Sequence, residues 1–319
     1  MIRTILFVNP WQGVIGPNVG MGQLAREALS RGHAVHIVLR ECDEAAEALL
    51  HSGAQLHVMQ GLELTPRSVR LLSLGKHLLR TWAASRRVAA LARRIAADVI
   101  CINSENMLLM PRAGRLAERR VMVVVRGIRF MELGLAGRAY FGLQKRWVDR
   151  YLAVSNSVRD GLLGMGVADG RISVVCNGVD TQVFAPGPPD AAKAGQLGIP
   201  PGHSVVAAVS HLVARKGMHH LIEALGHVMR GRPQTTCLIV GGVLDEESRP
   251  YADALKKRAA ELGIADRVRF LGSRNDVADI FRLGDVVVHP SETESFGRTI
   301  AEAMACGKPV VGFRVGAVG

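Results

Sequence analysis

Aromatic side chains make up only 4% of the 319 residues. Binding of single-stranded nucleic acid uses stacking rings, and no helix-turn-helix, RRM or zinc-finger pattern occurs, so nucleic acid is not an expected partner. Paired cysteines are also lacking. Cys42, Cys101, Cys176, Cys237 and Cys306 are odd in number and scattered, without a CxxC or HExxH, so neither a disulfide framework nor a zinc site is indicated. They read as small buried hydrophobes in a reducing cytoplasm. Apolar runs such as Val121 to Val125 have only strand length, so no transmembrane helix is expected. The opening MIRTILFVNP is one short strand, without the apolar core and cleavage site of a secretory leader.

What is present is a globular balance, 48% hydrophobic and 21% charged. The net charge of +12 is unevenly placed. Residues 1–183 hold 24 Lys and Arg against 14 Asp and Glu, whereas residues 184–319 hold 16 against 14. The first half therefore faces something anionic: a membrane surface, a phosphorylated acceptor or nucleic acid, the last disfavoured above.

Short Val/Ile/Leu runs alternate with helical patterns throughout. The strand candidates are Ile2–Val8, Ala34–Leu39, Gln55–Met59, Val99–Ile102, Val121–Val125, Tyr151–Val154, Ile172–Val175, Ser204–Val209, Thr236–Val240, Val268–Leu271, Val286–His289 and Pro309–Phe313. Continuous apolar strands separated by helices are parallel and buried on both faces, which predicts doubly wound α/β sheets. The Pro- and Gly-rich stretch 184–202 reads as a linker between domains at 1–183 and 203–319. Ligands in such sheets bind beyond the carboxyl ends of strands, so a cleft between two α/β domains is the natural site.

Three further stretches carry chemistry. After the first strand, Gly20-Met21-Gly22-Gln23-Leu24-Ala25 fits GxGxxA, the dinucleotide fingerprint of an oxidoreductase, although eleven residues separate Val8 from Gly20. The more general reading is a glycine loop whose N–H groups approach a phosphate or sugar at a helix N-terminus; the bland one is a flexible loop. Second, residues 66–100 combine Leu71, Leu72, Leu78, Leu79, Trp82, Val88, Leu91 and Ile95 with Arg67, Arg70, Lys76, Arg80, Arg86, Arg87, Arg93 and Arg94, and Gly75 divides the pattern. Such a helix either lies in an anionic membrane interface or turns its apolar side to the core and its basic side to solvent. Third, in ETESFGRTIAEAMACGKPVV, Ile300, Ala301, Ala303 and Met304 predict a core helix over Arg298 to Ala305, yet Glu302 interrupts it and Glu294 stands at its mouth. Eight residues on one helix would rotate about 80° past two turns, so Glu294 in the preceding loop is the arrangement that lets both acids address one ligand.

These segments, with Arg215-Lys216-Gly217 after the strand AAVS, Asn177-Gly178-Val179-Asp180, "RFLGSRNDV", Pro290-Ser291 and Gly307-Lys308-Pro309, resemble the retaining GT-B glycosyltransferases of family 4. The resemblance implies two Rossmann-like, doubly wound domains facing a central cleft, an acceptor held by the first and a nucleotide-sugar by the second. It implies Glu294 on the transferred sugar, Glu302 on the ribose hydroxyls, and Ser295, Phe296, Gly297 and Arg298 at a helix end aimed at the diphosphate. Lys216 would neutralise the leaving diphosphate, and Arg274 would border the nucleobase. No DxD occurs, so a metal clamp is not indicated, and no cofactor is expected beyond a UDP- or GDP-linked donor. With no evident nucleophilic carboxylate, a front-face mechanism using the leaving phosphate as base is the working hypothesis.

The chain departs from the pattern in three places. His211 stands where many relatives have an arginine near the lysine; it is either a pH-dependent charge or a neutral packed residue. Arg126-Gly127 replaces a common His-Gly, as in some relatives that build envelope polysaccharide or lipopolysaccharide. Arg126 holds a phosphate or an acceptor hydroxyl, or else pairs with a nearby carboxylate. The sequence stops at RVGAVG, before a βα unit and terminal helix that the family usually adds, which reads as a C-terminal truncation. The expected activity is sugar transfer to an envelope glycan or glycolipid, in the cytoplasm or at the inner face of the plasma membrane. The alternatives are a non-catalytic, membrane-associated module of the same fold and an NAD-dependent oxidoreductase built on Gly20, Gly22 and Ala25.

Overall fold

A computed structural model of the protein describes residues 3–12, 16–42, 53–62, 64, 71–127, 134–243 and 246–318, with only the backbone for 71–74. Arg67, Arg70 and the side chains of Leu71 and Leu72, in the basic stretch above, lie outside the described residues. The chain forms two compact units, Met1–Gly178 and Val179–Gly319.

The first unit is built on seven strands: β1 (Thr4–Val8), β2 (Ala34–Leu39), β3 (Gln55–Val58), β4 (Val99–Ile102), β5 (Arg120–Val125), β6 (Arg150–Ala153) and β7 (Ile172–Val174). They pair in the order β3-β2-β1-β4-β5-β6-β7, every neighbour parallel. The second unit holds β8 (Ser204–Val209), β9 (Thr235–Val240), β10 (Val268–Phe270), β11 (Val286–His289) and β12 (Val310–Gly312), in the parallel order β10-β9-β8-β11-β12. All twelve expected strands are present. The order reverses between β1 and β4 in the first sheet and between β8 and β11 in the second. Those two switch points open crevices at the carboxyl ends, where the loops diverge to opposite faces.

Alternation along the strands shows why both faces are apolar. Cys237 and Ile239 of β9 join one core cluster with Ala208, Leu221 and Ile222, while Leu238 and Val240 join another with Val205, Ala207 and Phe281. Side chains of period two thus fill two helix layers, one on each side of the sheet.

The stretch 184–202 is not a free connection. Phe184, Leu197 and Ile199 pack into the second unit's core, and a helix, Ala191–Gln196, forms within it, capped by the Asp190 side chain. Its apolar residues repeat closely enough to anchor it, which a composition reading of Pro and Gly does not weigh. The cysteines also divide differently from expectation: Cys101, Cys237 and Cys306 are buried, whereas Cys42 and Cys176 are exposed.

The basic stretch forms one helix, Leu71–Arg94, which runs through Gly75 without a break. Thr81, Ala84, Ser85, Val88, Ala89, Leu91 and Ala92 are buried, and Arg80, Arg86, Arg87, Arg93 and Arg94 face outward. It is therefore a core-facing helix with a basic outer face. Leu79 (66% exposed) and Trp82 (36% exposed) sit on that outer face. Arg86 and Arg112 stack on the Trp82 ring at 4.7 and 5.3 Å, cation–π contacts that hold the indole in place.

Candidate functional site

In the second unit the chain leaves β8 and makes a tight turn, Ala214–Lys216, before the helix Met218–Gly231. Gly217 closes the turn at φ +65°, and a Cβ there would stand 1.9 Å from the carbonyl oxygen of Pro290. Only glycine permits both the left-handed backbone and the close approach of the loop that follows β11. That approach brings Lys216 Nζ to 2.6 Å from Glu294 Oε2. His289, the last residue of β11, places Nε2 3.1 Å from the same oxygen, and its Nδ1 lies 3.1 Å from Thr299 Oγ1. The Ser295 and Phe296 N–H groups donate to Glu294 Oε1 at 3.1 and 3.5 Å. Burial by itself pushes the Glu294 pKa up, but the His289 hydrogen bond and the Lys216 charge outweigh it and hold the carboxylate below its ordinary range. Glu294 is thus an anion held from both oxygens.

The helix Arg298–Ala305 begins at Gly297, at φ +83°, with no side chain capping its first turn. Its positive dipole end adjoins the loop that follows β11. The helix occupies the predicted span, and Ser295 and Phe296, in the loop before it, turn their N–H groups onto Glu294. Glu302 is 8% exposed, and burial pushes its pKa up to about 7, against the opposing pull of Arg298 one turn earlier. Burial likewise lowers the Arg298 pKa, with Glu302 opposing. The expected core helix is only partly so: Ala303 is buried, Ile300 and Ala301 are half-buried, and Met304 is 63% exposed.

His211, after β8, is half-buried, and burial followed by the charges of Lys216 and Arg215 lowers its pKa. Both causes favour the uncharged ring. Arg274, after β10, makes a two-pronged ion pair with Asp276 at 2.7 and 2.7 Å, and Lys193 Nζ approaches the same carboxylate at 2.8 Å. Its guanidinium is held in one orientation by that pair.

The first unit presents a second constellation at its own switch point. Asn9 follows β1, Asn103 follows β4 and Arg126 follows β5. Asn103 Nδ2 donates to Asn9 Oδ1 at 2.9 Å, and Asn9 Nδ2 donates to Asn18 Oδ1 at 2.8 Å. Arg126 Nε donates to Asn103 Oδ1 at 2.8 Å and its Nη1 to Asn177 Oδ1 at 3.1 Å. Glu105 is buried, accepts the Arg126 N–H at 3.0 Å, and has a pKa raised chiefly by burial. The guanidinium thus rests on two amide oxygens, while its backbone meets the carboxylate.

The glycine loop does not exist in the form expected. The helix Gly16–Ser30 has already begun, so Gly20, Met21 and Gly22 are buried inside it, a turn beyond its N-terminus. A dinucleotide fingerprint needs its glycines between strand and helix, and this geometry overturns the oxidoreductase reading. Residues missed in the sequence are His289, which offered no motif, and Asn9, Asn103 and Glu105, whose only signal was polarity directly after a strand.

Two parallel α/β units, each with its polar constellation at a switch point, define the GT-B class of proteins. A family model described as Glycosyltransferase Family 4 matches residues 14–183, and one described as Glycosyl transferases group 1 matches residues 190–319. The chain belongs to glycosyltransferase family 4. It is 39% identical over 171 residues to the D-inositol 3-phosphate glycosyltransferase of Mycolicibacterium smegmatis, covering 53% of this chain and 38% of that one. It is 38% identical over 148 residues to the protein of that name from Segniliparus rotundus, covering 46% and 32%. The matched segment thus spans about a third of these relatives' length. Among solved structures, Anabaena Alr3699/HepE in complex with UDP and glucose is similar at a TM-score of 0.82 and 27% identity, covering 99% of this chain and 82% of that one. A glycosyltransferase from Rickettsia africae shares the fold at a TM-score of 0.80 and 20% identity, over 99% of this chain and 80% of that one.

Proposed function

We propose that the protein transfers a hexose from a UDP-sugar to a hydroxyl group, with retention of configuration and without a metal clamp on the diphosphate. The observation that carries this reading is the anchored Glu294, held by Lys216 and His289 beside a helix N-terminus, with buried Glu302 further along that helix. A diphosphate over the helix end meets the positive dipole end and the Lys216 ammonium, so the charge that develops as it leaves is neutralised. Glu294 accepts hydrogen bonds from the sugar hydroxyls, and Glu302 from the ribose. Arg298 lies beside the diphosphate, and Arg274 borders the base.

In the front-face step the bond between the anomeric carbon and the phosphate oxygen breaks, and its electron pair stays on the phosphate. The acceptor oxygen bonds the same carbon from the same face, and its proton passes to the departing phosphate oxygen. The likeness to a structure solved with UDP-glucose supports uracil over guanine. For the acceptor, the named relatives favour a small phosphorylated polyol, and Arg126 would meet its phosphate. An envelope glycan or glycolipid is the second reading. The basic outer face of the helix Leu71–Arg94 favours it, with an anionic membrane surface as partner.

A thermal-shift panel of UDP, GDP, ADP and CDP tests the donor site, since binding to the folded state raises the melting temperature. UDP is expected to give the largest shift, followed by UDP-glucose turnover that Glu294→Ala abolishes. Equal shifts for all four nucleotides, with turnover unchanged in Glu294→Ala, would overturn the assignment.

A further inference from the structure

Outside the donor site, His219, His220 and Glu292 bring one ligand atom each to within 4.8 Å of one another. His220 Nε2 lies 3.0 Å from Glu292 Oε1, and His219 Nε2 lies 3.5 Å from the same oxygen. Two ligands about 2.0–2.1 Å from a tetrahedral zinc stand about 3.3 Å apart, so these two spacings bracket the value a shared ion requires. We propose that His219, His220 and Glu292 form a site for one borderline divalent cation, of which zinc is the type.

Three features support a built site over a chance meeting. Neighbouring residues on a helix ordinarily diverge by about 100°. Here the two imidazoles lie 4.0 Å apart, with their Nε2 atoms turned to one carboxylate oxygen. Each ring is also braced from outside. His219 Nδ1 is 3.0 Å from Tyr251 Oη, and the Tyr251 ring stands edge-on to it. With the proton on Nδ1, the Nε2 lone pair faces Glu292, as in a metal-bound histidine fixed by an outer hydrogen bond. The His220 ring stands edge-on to Phe313 at 5.3 Å. The Glu292 N–H, in turn, donates to the Arg215 carbonyl at 3.0 Å, which ties the carboxylate's backbone to the turn before the helix.

The side chains are 43%, 44% and 48% exposed, so an ion can enter, and water can fill the remaining position of a three-ligand site. Imidazole and carboxylate together suit zinc, nickel or copper better than magnesium, which prefers oxygen alone. The ion would join the first turn of the helix Met218–Gly231 to the loop that carries Glu294 two residues on, stiffening that loop. The site rests on the second unit's geometry and does not depend on the donor reading. The histidines are adjacent in sequence, but the carboxylate comes 72 positions after the second, so no local motif announces the group.

The test uses the full chain after EDTA treatment and gel filtration, titrated with zinc chloride against a chromophoric chelator. One equivalent is expected to bind with a dissociation constant below about 10 μM. His220→Ala and Glu292→Gln should each weaken it at least about tenfold, with unchanged circular dichroism. Cys42→Ser with Cys176→Ser should leave it intact. Cobalt in place of zinc should show visible bands of a nitrogen and oxygen site without a thiolate charge-transfer band. A zinc affinity unchanged in His220→Ala and Glu292→Gln, a thiolate band lost with the two cysteines, or no saturable equivalent would each overturn the site. In the last case the cluster is a hydrogen-bonded trio.

Discussion

Lys216 Nζ lies 2.6 Å from Glu294 Oε2, which joins the turn after β8 to the loop after β11 across the second sheet's switch point. Both side chains are largely buried, so each charge depends on the other and on His289. An ion pair held in this way is a poor device for stability, because desolvation opposes the attraction, and a good one for fixing a carboxylate in one orientation.

Removing one partner leaves the other buried and uncompensated. Lys216→Met should therefore destabilise the second unit by about 3 kcal/mol, less whatever His289 retains. The depressed Glu294 pKa adds stability that is present above the ordinary carboxylate pKa and lost as pH falls through the folded value. Lys216→Met should flatten part of that acid-side slope. Urea unfolding between pH 3 and 7 measures both effects, and a loss under about 0.5 kcal/mol would show the pair to be surface-like.

Glu302 has the opposite sign. Its folded pKa is raised by burial to about 7 from 4.5, so the native state binds a proton that the unfolded state releases. Stability is then fully present below about 4.5 and falls as pH rises through 7, by up to about 3 kcal/mol. Glu302→Gln should remove this slope and be the more stable protein at pH 8. Parallel slopes for the two proteins would refute the raised value.

The same titration reaches into binding. A carboxylate accepts hydrogen bonds from ribose hydroxyls better than a carboxylic acid does, so UDP affinity should rise with pH through about 7. UDP also titrates near pH 6, and Glu302→Gln subtracts that contribution. Calorimetric titration at pH 6, 7 and 8 should show a steeper rise for the unmodified protein, and equal slopes would remove Glu302 from the ribose.

Gly217→Ala places a Cβ 1.9 Å from the Pro290 carbonyl oxygen at a positive φ. The loop after β11 must retreat, at a cost of about 2 kcal/mol or more. It should also separate Lys216 from Glu294, lowering turnover more than a surface glycine replacement such as Gly170→Ala, where no atom lies within 4 Å. Equal behaviour of the two variants would count against the close approach.

The outer face of the helix Leu71–Arg94 makes its own prediction. Leu79→Ser with Trp82→Ser should reduce binding to vesicles containing anionic lipid, with no loss of UDP binding. Vesicle binding unaffected by the double substitution would assign that face to solvent alone.

Much of this was legible in order. Continuous runs such as Val121–Val125 and Val286–His289 had to be buried strands, since nothing else of that length covers so much apolar surface. Their alternation with helices required parallel sheets. Glu294 and Glu302 stood out for the same reason, as charges set against an apolar helix. Where periodicity was weak the reading failed. Gly20 and Gly22 resembled a loop by composition, but helix formation from Gly16 onward absorbed them. Phe184 and Ile199 carried a Pro- and Gly-rich stretch into a core.

The sequence by itself determined the class of fold, the strand count and the family, because these rest on local pattern and on motifs that need no partner. Only the tertiary structure decided which groups meet. His289 with Glu294, Arg126 with Asn103 and Asn177, and His219 and His220 with Glu292 are separated by between 5 and 73 positions. The physical reason lies in the parallel sheets: right-handed crossovers bring the carboxyl ends of distant strands to one edge. There, chemistry depends on neighbours in space that no local spacing records.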